Sequence, residues 1–412
     1  AQPLTKSGIT IPELDPTLSV EQREAVKTSL SHPVSILTGG PGTGKTTAVR
    51  ALISALEEAG KKYALASPTG RAAKRLSQAT QRPASTIHRL LGFSPLSGFN
   101  HHDKNPLLID FLVIDESSML DIILCNHLLK AILPGTHLLF VGDVDQLPSV
   151  GAGDVLRDMI ASDKAPITRL TTIFRQKRDS HIITNAHRLN EGKMPFFSKQ
   201  SEDFFLFPAD DAESAGDWVV DVTCNRISRK FGLNPQKNIQ VLSPMYRGAA
   251  GVEALNIRLQ AKLNPPQPKK PEISLYGRLF RLGDKVMQIK NDYDKQVYNG
   301  DIGTISSMDT VNQNLRVNFE GTDVQYEWVE CEQLVHAYAV SVHKSQGSEF
   351  PAIVVPVITQ HYMMLQRNLL YTAITRAEKI CVLVGNKRAI AIAVNNNKVA
   401  NRYTALNWRL TL

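Results

Sequence analysis

One segment of the sequence combines the residue types that bind nucleotide phosphates. Residues 39–46 read Gly-Gly-Pro-Gly-Thr-Gly-Lys-Thr and match the pattern GxxxxGK[ST] in full. The segment follows an apolar run, Val34–Thr38, and precedes a helical pattern, Thr46–Ala59, which is the context that this motif requires. The glycines let backbone N–H groups surround phosphate oxygens, and the helix N-terminus adds positive partial charge. We therefore expect a phosphate-binding loop; the alternative is an incidental glycine-rich turn.

The loop and a second motif supply the groups that hydrolyse a nucleotide. Lys45 can reach the β- and γ-phosphates of ATP, and the hydroxyl of Thr46 can ligate Mg²⁺. Asp115 and Glu116 end another apolar run and would lie at the sheet edge where ligands bind. Asp115 would hold Mg²⁺, and Glu116 would orient or deprotonate the attacking water. Acidic residues also cap helices after strands. The pair Asp115 and Glu116 therefore indicates a catalytic role only in combination with the phosphate-binding loop at 39–46.

A polar side chain follows the next apolar run. Gln146 lies in the segment 142–148, which reads Gly-Asp-Val-Asp-Gln-Leu-Pro. A side chain here can reach the γ-phosphate and respond to its loss, so Gln146 is a candidate catalytic residue. A capped turn that ends at Pro148 explains the pattern equally well.

The elements that must position these residues alternate between strands and helices. With 412 residues, the chain exceeds the roughly 250–300 residues that one hydrophobic core supports. Alternation of strands and helices is typical of parallel α/β sheets, and the strands form two groups around a middle region near 190–235. We predict two tandem α/β domains, 1–190 and 191–412. The apolar runs typical of buried strands are Val34–Thr38, Tyr63–Ser67, Phe111–Ile114, His137–Val141, Ile239–Leu242, Ala352–Ile358 and Ile380–Val384.

Two segments interrupt this alternation. Residues 93–106 are rich in Gly, Pro, Asn and His and form either a surface loop or a short hairpin inserted in the first domain. Residues 278–334 contain β-type runs separated by turn signals such as Asn299-Gly300 and Glu320-Gly321. We predict a small antiparallel barrel inserted in the second domain.

The amino-acid composition indicates which kinds of binding partner and which cellular environment the protein has. The formal net charge is +8, which favours a polyanionic partner, and residues 60–91 contain no acidic residue. Cys125, Cys224, Cys331 and Cys381 are scattered without CxxC spacing, which indicates reduced thiols in a cytoplasmic protein and no zinc site. No apolar run approaches the roughly 20 residues that span a bilayer, so we expect no membrane association.

Further motifs, taken in order, resemble those of superfamily 1 helicases of the RecD-like branch. The resemblance extends from about residue 18 to residue 385, nearly the whole chain. Each motif is short, but their joint order is specific. Besides the segments at 39–46, 115–116 and 142–148, the motifs are Ala-Ser-Pro-Thr-Gly-Arg-Ala-Ala at 66–73, Ser-Thr-Ile-His at 85–88, Phe-Arg-Gln at 174–176, Val-His-Lys-Ser-Gln-Gly-Ser-Glu at 342–349 and Tyr-Thr-Ala-Ile-Thr-Arg-Ala at 371–377.

The resemblance implies an α/β fold of two RecA-like P-loop domains with ATP and Mg²⁺ in the cleft between them. It implies that Gln22 reads the adenine, that Phe174 stacks on it and that Glu349 binds the ribose. Arg175 and Arg376 would contact the γ-phosphate; the alternative for Arg376 is an ion pair with a surface carboxylate. The implied catalytic residues are Lys45, Glu116, Gln146, Arg175 and Arg376. The implied ATP-binding residues are Gln22, Gly40, Gly42, Thr43, Gly44, Lys45, Thr46, Thr47, Phe174, Gly347 and Glu349, with Thr46 and Asp115 as Mg²⁺ ligands.

The same resemblance assigns a track for single-stranded DNA. Phosphate contacts from cations, hydroxyls and helix N-termini hold a strand without reading its sequence. For Lys74 and Arg75, a solvated basic helix face is at least as good an interpretation as contact with DNA. For His88, a buried core histidine is an equal alternative to a DNA contact. The family places a strand-separating hairpin at 93–106 and a Src-homology-like barrel at 278–334. The expected DNA contacts are Pro68, Thr69, Arg71, Ser85, Thr86 and His88 in the first domain, and His343, Lys344 and Ser345 in the second.

These expectations describe an ATP-dependent DNA helicase that moves on single-stranded DNA, binds junctions with duplex and acts in DNA repair or recombination. The 5′→3′ polarity follows from the resemblance alone. An RNA helicase of the same superfamily and a non-catalytic nucleotide-binding scaffold are the alternatives; the joint presence of the catalytic residues argues against the scaffold. Clustered carboxylates with a nearby lysine occur only at the ATP site, so we assign no nuclease activity. RecD-like proteins often carry an additional N-terminal region, whereas only a short stretch precedes Gln22.

Overall fold

The chain divides into two compact units. The computed structural model describes residues 15–172, 180–397, 402 and 404–412. One unit comprises Ala1–Asp179 with Ala400–Leu412, and the other comprises Ser180–Val399. The sequence pattern had placed this boundary at residue 190 and the C-terminus in the second domain.

Side-chain contacts explain why the boundary lies earlier. The Ser180 hydroxyl and the His181 amide donate to the carboxylate of Asp203, at 2.6 and 3.2 Å, so the helix His181–Asn190 joins the second unit at its first turn. The C-terminal helix Leu406–Thr411 packs on the helix Val155–Ser162 of the first unit. Both contacts are distant in sequence, and a local pattern does not contain them.

A parallel sheet forms the centre of the first unit. In the described part of this unit, six strands lie in the order β3-β2-β6-β7-β1-β8, and the other two form a hairpin, β4-β5. Because the six strands are parallel, their carboxyl ends meet at one edge of the sheet. The strands are β1 Val34–Gly39, β2 Tyr63–Ser67, β3 Ser85–Thr86, β4 Phe93–Ser94, β5 Gly98–Phe99, β6 Phe111–Ile114, β7 His137–Gly142 and β8 Ile167–Leu170.

Helices cover both faces of this sheet. Successive strand residues point to opposite faces: Leu37 and Val141 belong to one hydrophobic cluster, whereas Ile36 and Phe140 belong to another. Strands buried on both faces read as continuous apolar runs, which is why the sequence revealed them. The helices are Val20–Ser31, Lys45–Glu58, Gly70–Thr80, Ile87–Leu90, Ile122–Lys130, Val155–Ser162 and Leu406–Thr411.

The second unit repeats this architecture with a smaller sheet. Its parallel strands lie in the order β18-β10-β19-β20-β9. The strands of the unit are β9 Phe204–Pro208, β10 Ile239–Ser243, β11 Glu272–Leu275, β12 Arg278–Arg281, β13 Lys285–Gln288, β14 Ile302–Asp309, β15 Asn314–Phe319, β16 Thr322–Glu327, β17 Leu334–His336, β18 Ala339–Ser341, β19 Phe350–Val357 and β20 Ala377–Gly385. The α-helices are His181–Asn190, Ala212–Asp221, Ile227–Phe231, Pro235–Asn238, Val252–Leu263, Arg367–Ile374 and Lys387–Asn395.

The predicted barrel is present between β10 and β18. Strands β16-β15-β14-β13-β17 form an antiparallel sheet around a core that includes Phe280, Val317 and Tyr326. A buried carboxylate, Asp284, accepts hydrogen bonds from Gln260 (2.7 Å), Asn264 (2.6 Å) and Tyr338 (2.9 Å), and this network joins the barrel to the helix Val252–Leu263. The sequence pattern predicts a strand over Val324–Val329, but residues 328–333 form a 3₁₀ helix instead.

The fold class predicted from the sequence is confirmed, with one change in the hairpin insertion. Strands β4 and β5 pair Phe93 with Phe99, so the hairpin occupies 93–99 rather than all of 93–106. The following residues return to the domain, where the His101 amide donates to the Leu91 carbonyl at 2.9 Å and the Leu107 amide to the Ala131 carbonyl at 2.8 Å. Among the described helices, none has the length and apolarity needed to cross a membrane.

Candidate active site

The glycine-rich segment forms a loop between β1 and the helix Lys45–Glu58. Gly42 and Gly44 adopt φ values of +73° and +85°, a left-handed conformation that favours glycine. Lys45 Nζ donates to the carbonyls of Gly39 (2.7 Å) and Gly40 (2.9 Å), which holds the ammonium over the loop. The helix has Gly44 at its N-cap and no side-chain cap hydrogen bond. Its first amides and positive dipole end therefore suit a phosphate group.

Two residues of the N-terminal helix hold segments around this loop. Gln22 is buried, and its Nε2 donates to the Gly44 carbonyl at 3.3 Å while its Oε1 accepts from the Ser19 amide at 3.0 Å. The structure thus places the expected adenine-reading residue directly at the phosphate-binding loop. The neighbouring Glu21 carboxylate accepts from the amides of Thr171 (2.9 Å) and Thr172 (3.1 Å).

The acidic pair lies at the carboxyl end of β6, two strands from β1. Desolvation, followed by the charge of the adjacent Glu116, raises the pKa of Asp115 to about 6, while the charge of Lys45 acts in the opposite direction. Glu116 has a φ of +51°, which is unusual for a residue with a side chain and is typical of functional sites. A carboxylate desolvated beside a second carboxylate and a lysine fits a divalent cation that compensates its charge. Asp115 and Thr46 are the residues that would hold Mg²⁺.

Gln146 occupies a turn at the end of β7, the strand between β6 and β1. Its Nε2 donates to the carboxylate of Asp143 at 3.0 Å, and the same carboxylate accepts from the Asp145 amide at 3.1 Å. The turn that was the alternative to a phosphate-sensing role therefore exists, and it holds the Gln146 side chain in a defined place. The role of Gln146 at the γ-phosphate stays a prediction.

Arg376 is a buried cation in the second unit. Its residue is 2% exposed, and its guanidinium donates to the carbonyls of Thr372 (3.2 Å) and Ser348 (3.1 Å) and to the Thr375 hydroxyl (3.4 Å). No carboxylate within salt-bridge distance of Arg376 is found in the described part of the chain. The surface ion pair that was its alternative role is therefore not what the structure shows, and a buried guanidinium without a counter-charge suits an anionic ligand.

The other residues expected at the nucleotide are only partly placed. Gly347 and Glu349 directly flank Ser348, whose carbonyl accepts from Arg376, so the motifs at 342–349 and 371–377 meet in the second unit. Thr43 is buried and donates to the Gly40 carbonyl at 2.9 Å, and Thr47 lies in the first turn of the helix Lys45–Glu58. Phe174 and Arg175 lie outside the described residues.

The expected DNA contacts of the first unit surround two helix N-termini. Thr69 caps the helix Gly70–Thr80 by accepting from the Ala72 amide at 3.3 Å. Thr86 caps the helix Ile87–Leu90 by accepting from the Arg89 amide at 3.1 Å. Pro68 and Arg71 flank Thr69, and Ser85 precedes Thr86, so these residues lie at the carboxyl ends of neighbouring strands β2 and β3.

His88 belongs to an aromatic cluster at the base of the hairpin. Its ring lies 5.4 Å from Phe93 and 5.7 Å from Phe99, the paired residues of β4 and β5. Burial lowers the pKa of His88. His88 is thus half-buried rather than fully buried in the core, and its ring links the motif at 85–88 to the base of the hairpin.

The matching residues of the second unit lie in a 3₁₀ turn after β18. Burial lowers the pKa of both His343 and Lys344, and Lys344 Nζ donates to Asn299 of the barrel at 2.6 Å. The Ser345 hydroxyl is buried and donates to the Val342 carbonyl at 2.7 Å. The Ser345 side chain is thus used within the turn, whereas the Lys344 side chain links the motif to the barrel.

Sequence reasoning missed the residues that position the site rather than form it. Asp143, which holds Gln146, was detectable in principle. An Asp whose side chain accepts from the backbone two residues later is typical of a capped turn, and Gln146 follows Asp143 by three residues. Glu21 carried no local signal and Asn299 only that of a turn, since their partners are distant in sequence.

Three family models match the chain. Residues 22–152 match an AAA domain, residues 255–319 match an ATP-dependent RecD-like DNA helicase SH3 domain, and residues 336–384 match a UvrD-like helicase C-terminal domain. The matches cover the phosphate-binding loop, most of the barrel, and the motifs at 342–349 and 371–377.

Curated relatives match almost the whole chain. The ATP-dependent RecD2 DNA helicase of Deinococcus radiodurans is 37% identical over 393 residues, which cover 95% of this chain and 52% of that protein. The RecBCD enzyme subunit RecD of Mycolicibacterium smegmatis is 33% identical over 425 residues, covering 95% of this chain and 74% of the subunit. The chain thus spans about half the length of the first relative.

Solved structures share the fold. Pif1 helicase from Bacteroides, in complex with ADP-AlF3 and ssDNA, is similar with a TM-score of 0.57 at 18% identity, covering 96% of this chain and 97% of that one. Pif1 helicase from Candida albicans gives a TM-score of 0.55 at 21% identity, with 92% and 96% covered. At these identities the similarity shows a common architecture.

Proposed function

Because this chain belongs to the RecD family of helicases, we propose that it is an ATP-hydrolysing motor that moves on single-stranded DNA and separates duplex strands. Its RecD and RecD2 relatives carry helicase or RecBCD names, and the site residues described above supply the required chemistry. The observation that most supports ATP hydrolysis, rather than nucleotide binding alone, is the buried guanidinium of Arg376. Its hydrogen-bond partners in the described structure are neutral.

Each residue of the site has a distinct task in this proposal. The loop amides and Lys45 bind the β- and γ-phosphates, and Glu116 orients the water or accepts its proton. Mg²⁺ held by Thr46 and Asp115 would neutralise negative charge on the phosphates. Arg376, together with Arg175, compensates the charge that develops on the transferred phosphoryl group, a contribution worth about 10³- to 10⁵-fold in rate. Gln146 positions the γ-phosphate or the water.

The nucleic-acid track explains how turnover becomes motion. Helix N-termini capped by Thr69 and Thr86 offer backbone amides to phosphates, and such contacts can be released and remade without reading sequence. We propose that Lys344 transmits changes at the track to the barrel through Asn299. The preference for DNA and the 5′→3′ polarity rest on the family. ATP turnover measured with single-stranded DNA and with RNA of the same sequence tests the proposal against the RNA alternative: stronger stimulation by RNA contradicts it.

The hairpin at 93–99 is expected to separate base pairs. Leu96 at its tip is 99% exposed, and the base of the hairpin packs on His88. A rigid apolar tip beside the strand track can wedge between the strands of incoming duplex. The wedge is energetically feasible, because separating one stacked step costs roughly 0.6–2.2 kcal/mol, which is less than the free energy that hydrolysis of one ATP supplies.

Replacing residues 94–98 with a Gly-Ser turn should leave DNA-stimulated ATP turnover near wild type and reduce duplex unwinding at least about tenfold, since the motor still moves but no longer splits pairs. Leu96→Ser should show a smaller loss of the same kind. Val311→Ser is the matched control, because Val311 is 87% exposed in the turn between β14 and β15 of the barrel. Wild-type unwinding by the turn variant means that 93–99 is an ordinary surface hairpin.

A further inference from the structure

The loop that carries Gln146 is closed by side chains at both of its ends. It runs from the end of β7 to the start of the helix Val155–Ser162. At its beginning Asp143 accepts from Gln146, and Arg157 donates to the Val144 carbonyl at 2.7 Å and to the Asp154 carboxylate at 3.0 Å. These contacts are local in sequence: those at Asp143 and Val144 hold the first half of the loop, and the pair of Arg157 with Asp154 holds its last residue before the helix.

The second half of the loop is held from the opposite end of the chain. Arg402 Nη1 lies 2.5 Å from the Gly151 carbonyl, 2.9 Å from the Gly153 carbonyl and 3.1 Å from the Ser149 hydroxyl. The buried Ser149 hydroxyl also lies 3.1 and 2.9 Å from these two carbonyls. A hydroxyl has one proton and cannot donate fully to both, so the guanidinium supplies the donors that let two carbonyl dipoles converge.

The segment that presents Arg402 is itself anchored. Leu406 packs on the hydrophobic cluster that contains Val155 and Leu156, and the Thr404 hydroxyl donates to the Asp158 carboxylate at 3.5 Å. The C-terminal helix packs along Val155–Ser162, the helix in which the loop ends. Residues 404–411, on the C-terminal side of Arg402, are therefore anchored on the first unit.

We propose that Arg402 is a positioning residue for ATP turnover, which fixes the loop whose other end carries Gln146. This inference rests on the proposed function, in which Gln146 faces the γ-phosphate. Without the guanidinium, the carbonyls of Gly151 and Gly153 lose their shared donor and the loop gains alternative conformations. Gln146 then spends less time in the geometry for turnover. We expect ATP binding to be unchanged. The hydrogen bonds of Arg402 to the described residues go to Ser149, Gly151 and Gly153, not to Lys45 or the loop at 39–46.

Steady-state kinetics with saturating single-stranded DNA test the inference. Arg402→Ala should lower kcat about tenfold, as small displacements of a catalytic group do, while KM for ATP stays within about twofold of wild type. Arg402→Lys, which retains the charge, should recover part of kcat. Arg409→Ala is the matched control: it removes the same charge from an exposed position of the C-terminal helix that follows Arg402 and should leave kcat unchanged.

Two further measurements separate positioning from mere attachment of the C-terminus. In a Gln146→Ala background, Arg402→Ala should lower kcat no further, because both substitutions remove one function. Amides of 143–153 should exchange with solvent faster in Arg402→Ala than in Arg409→Ala. Independent multiplication of the two kinetic effects, or unchanged amide exchange, overturns the inference. Absence of ATP turnover in the wild type overturns the proposed function instead, and the exchange experiment still decides whether Arg402 fixes the loop.

Discussion

Lys45→Ala should reduce ATP turnover to background. We expect a loss of at least about 10²- to 10³-fold, the range seen when one preorganised hydrogen-bond donor is removed from an active site. The carbonyls of Gly39 and Gly40 hold the ammonium over the loop, so its charge lies where the phosphates are proposed to bind. Single-stranded DNA binding should remain, because the track residues Thr69 and Thr86 lie at the ends of β2 and β3 rather than on the loop.

The matched control for this variant is Lys62→Ala. Lys62 immediately precedes β2 and is exposed, so it lies at the edge of the parallel sheet opposite the loop. Turnover by Lys62→Ala should equal that of wild type. If Lys45→Ala hydrolyses ATP at a rate near wild type, residues 39–46 are not the catalytic phosphate-binding loop.

Arg376→Ala should lower turnover about 10³-fold or more while changing ATP affinity far less, because an arginine that compensates developing charge contributes mainly in the transition state. Its buried position with neutral hydrogen-bond partners leaves the positive charge available for a phosphate. A fluorescent ATP analogue titrated alongside steady-state rates separates the two effects. Arg175→Ala, chosen from the sequence motif, should behave in the same way.

Because Arg376 is buried, its loss can also affect folding, and two controls address this. Arg376→Lys keeps the charge but not the planar set of donors, and it should remain slow although it folds. Arg388→Ala removes an exposed arginine from the helix Lys387–Asn395 and should be silent in turnover. Weakened binding of the analogue with normal turnover contradicts a role for Arg376 in the transition state.

The parts of the fold that local sequence determines were predictable. The strands β1, β2, β6 and β7 are buried on both faces, so their apolar runs are continuous and easily recognised. The barrel strands alternate, and their turns contain residues such as Gly300 (φ +101°) and Gly321 (φ +98°), which the turn signals had marked. The phosphate-binding loop needs its glycines for backbone geometry, which made its motif specific.

Short edge strands escaped prediction. The strand β3 has two residues and β18 has three, too few for a pattern, and their pairing with β2 and β10 depends on the assembled sheet. The same limit applies to the unit boundary, where Asp203 holds Ser180 across distant sequence.

The chemistry of the site was predictable, but its support was not. The residue types at Lys45, Asp115 and Glu116 match what phosphate and Mg²⁺ would require, and their roles stay predictions. The left-handed backbone of Glu116, the desolvated position that raises the pKa of Asp115 and the contact of Arg402 with Gly151 arise only when distant segments pack. The hydrogen bond by which Asp143 holds the Gln146 side chain also became visible only in the three-dimensional arrangement.

Unwinding of a duplex with a single-stranded tail tests the central claim most directly. Duplexes of one sequence, carrying either a 5′ or a 3′ DNA tail, are incubated with ATP and Mg²⁺, with Lys45→Ala as the inactive reference. The account predicts that wild-type protein separates the 5′-tailed duplex, that the 3′-tailed duplex stays largely intact, and that Lys45→Ala separates neither. ATP hydrolysis without separation of either duplex would contradict the proposed helicase activity, and separation of the 3′-tailed duplex alone would contradict the proposed polarity.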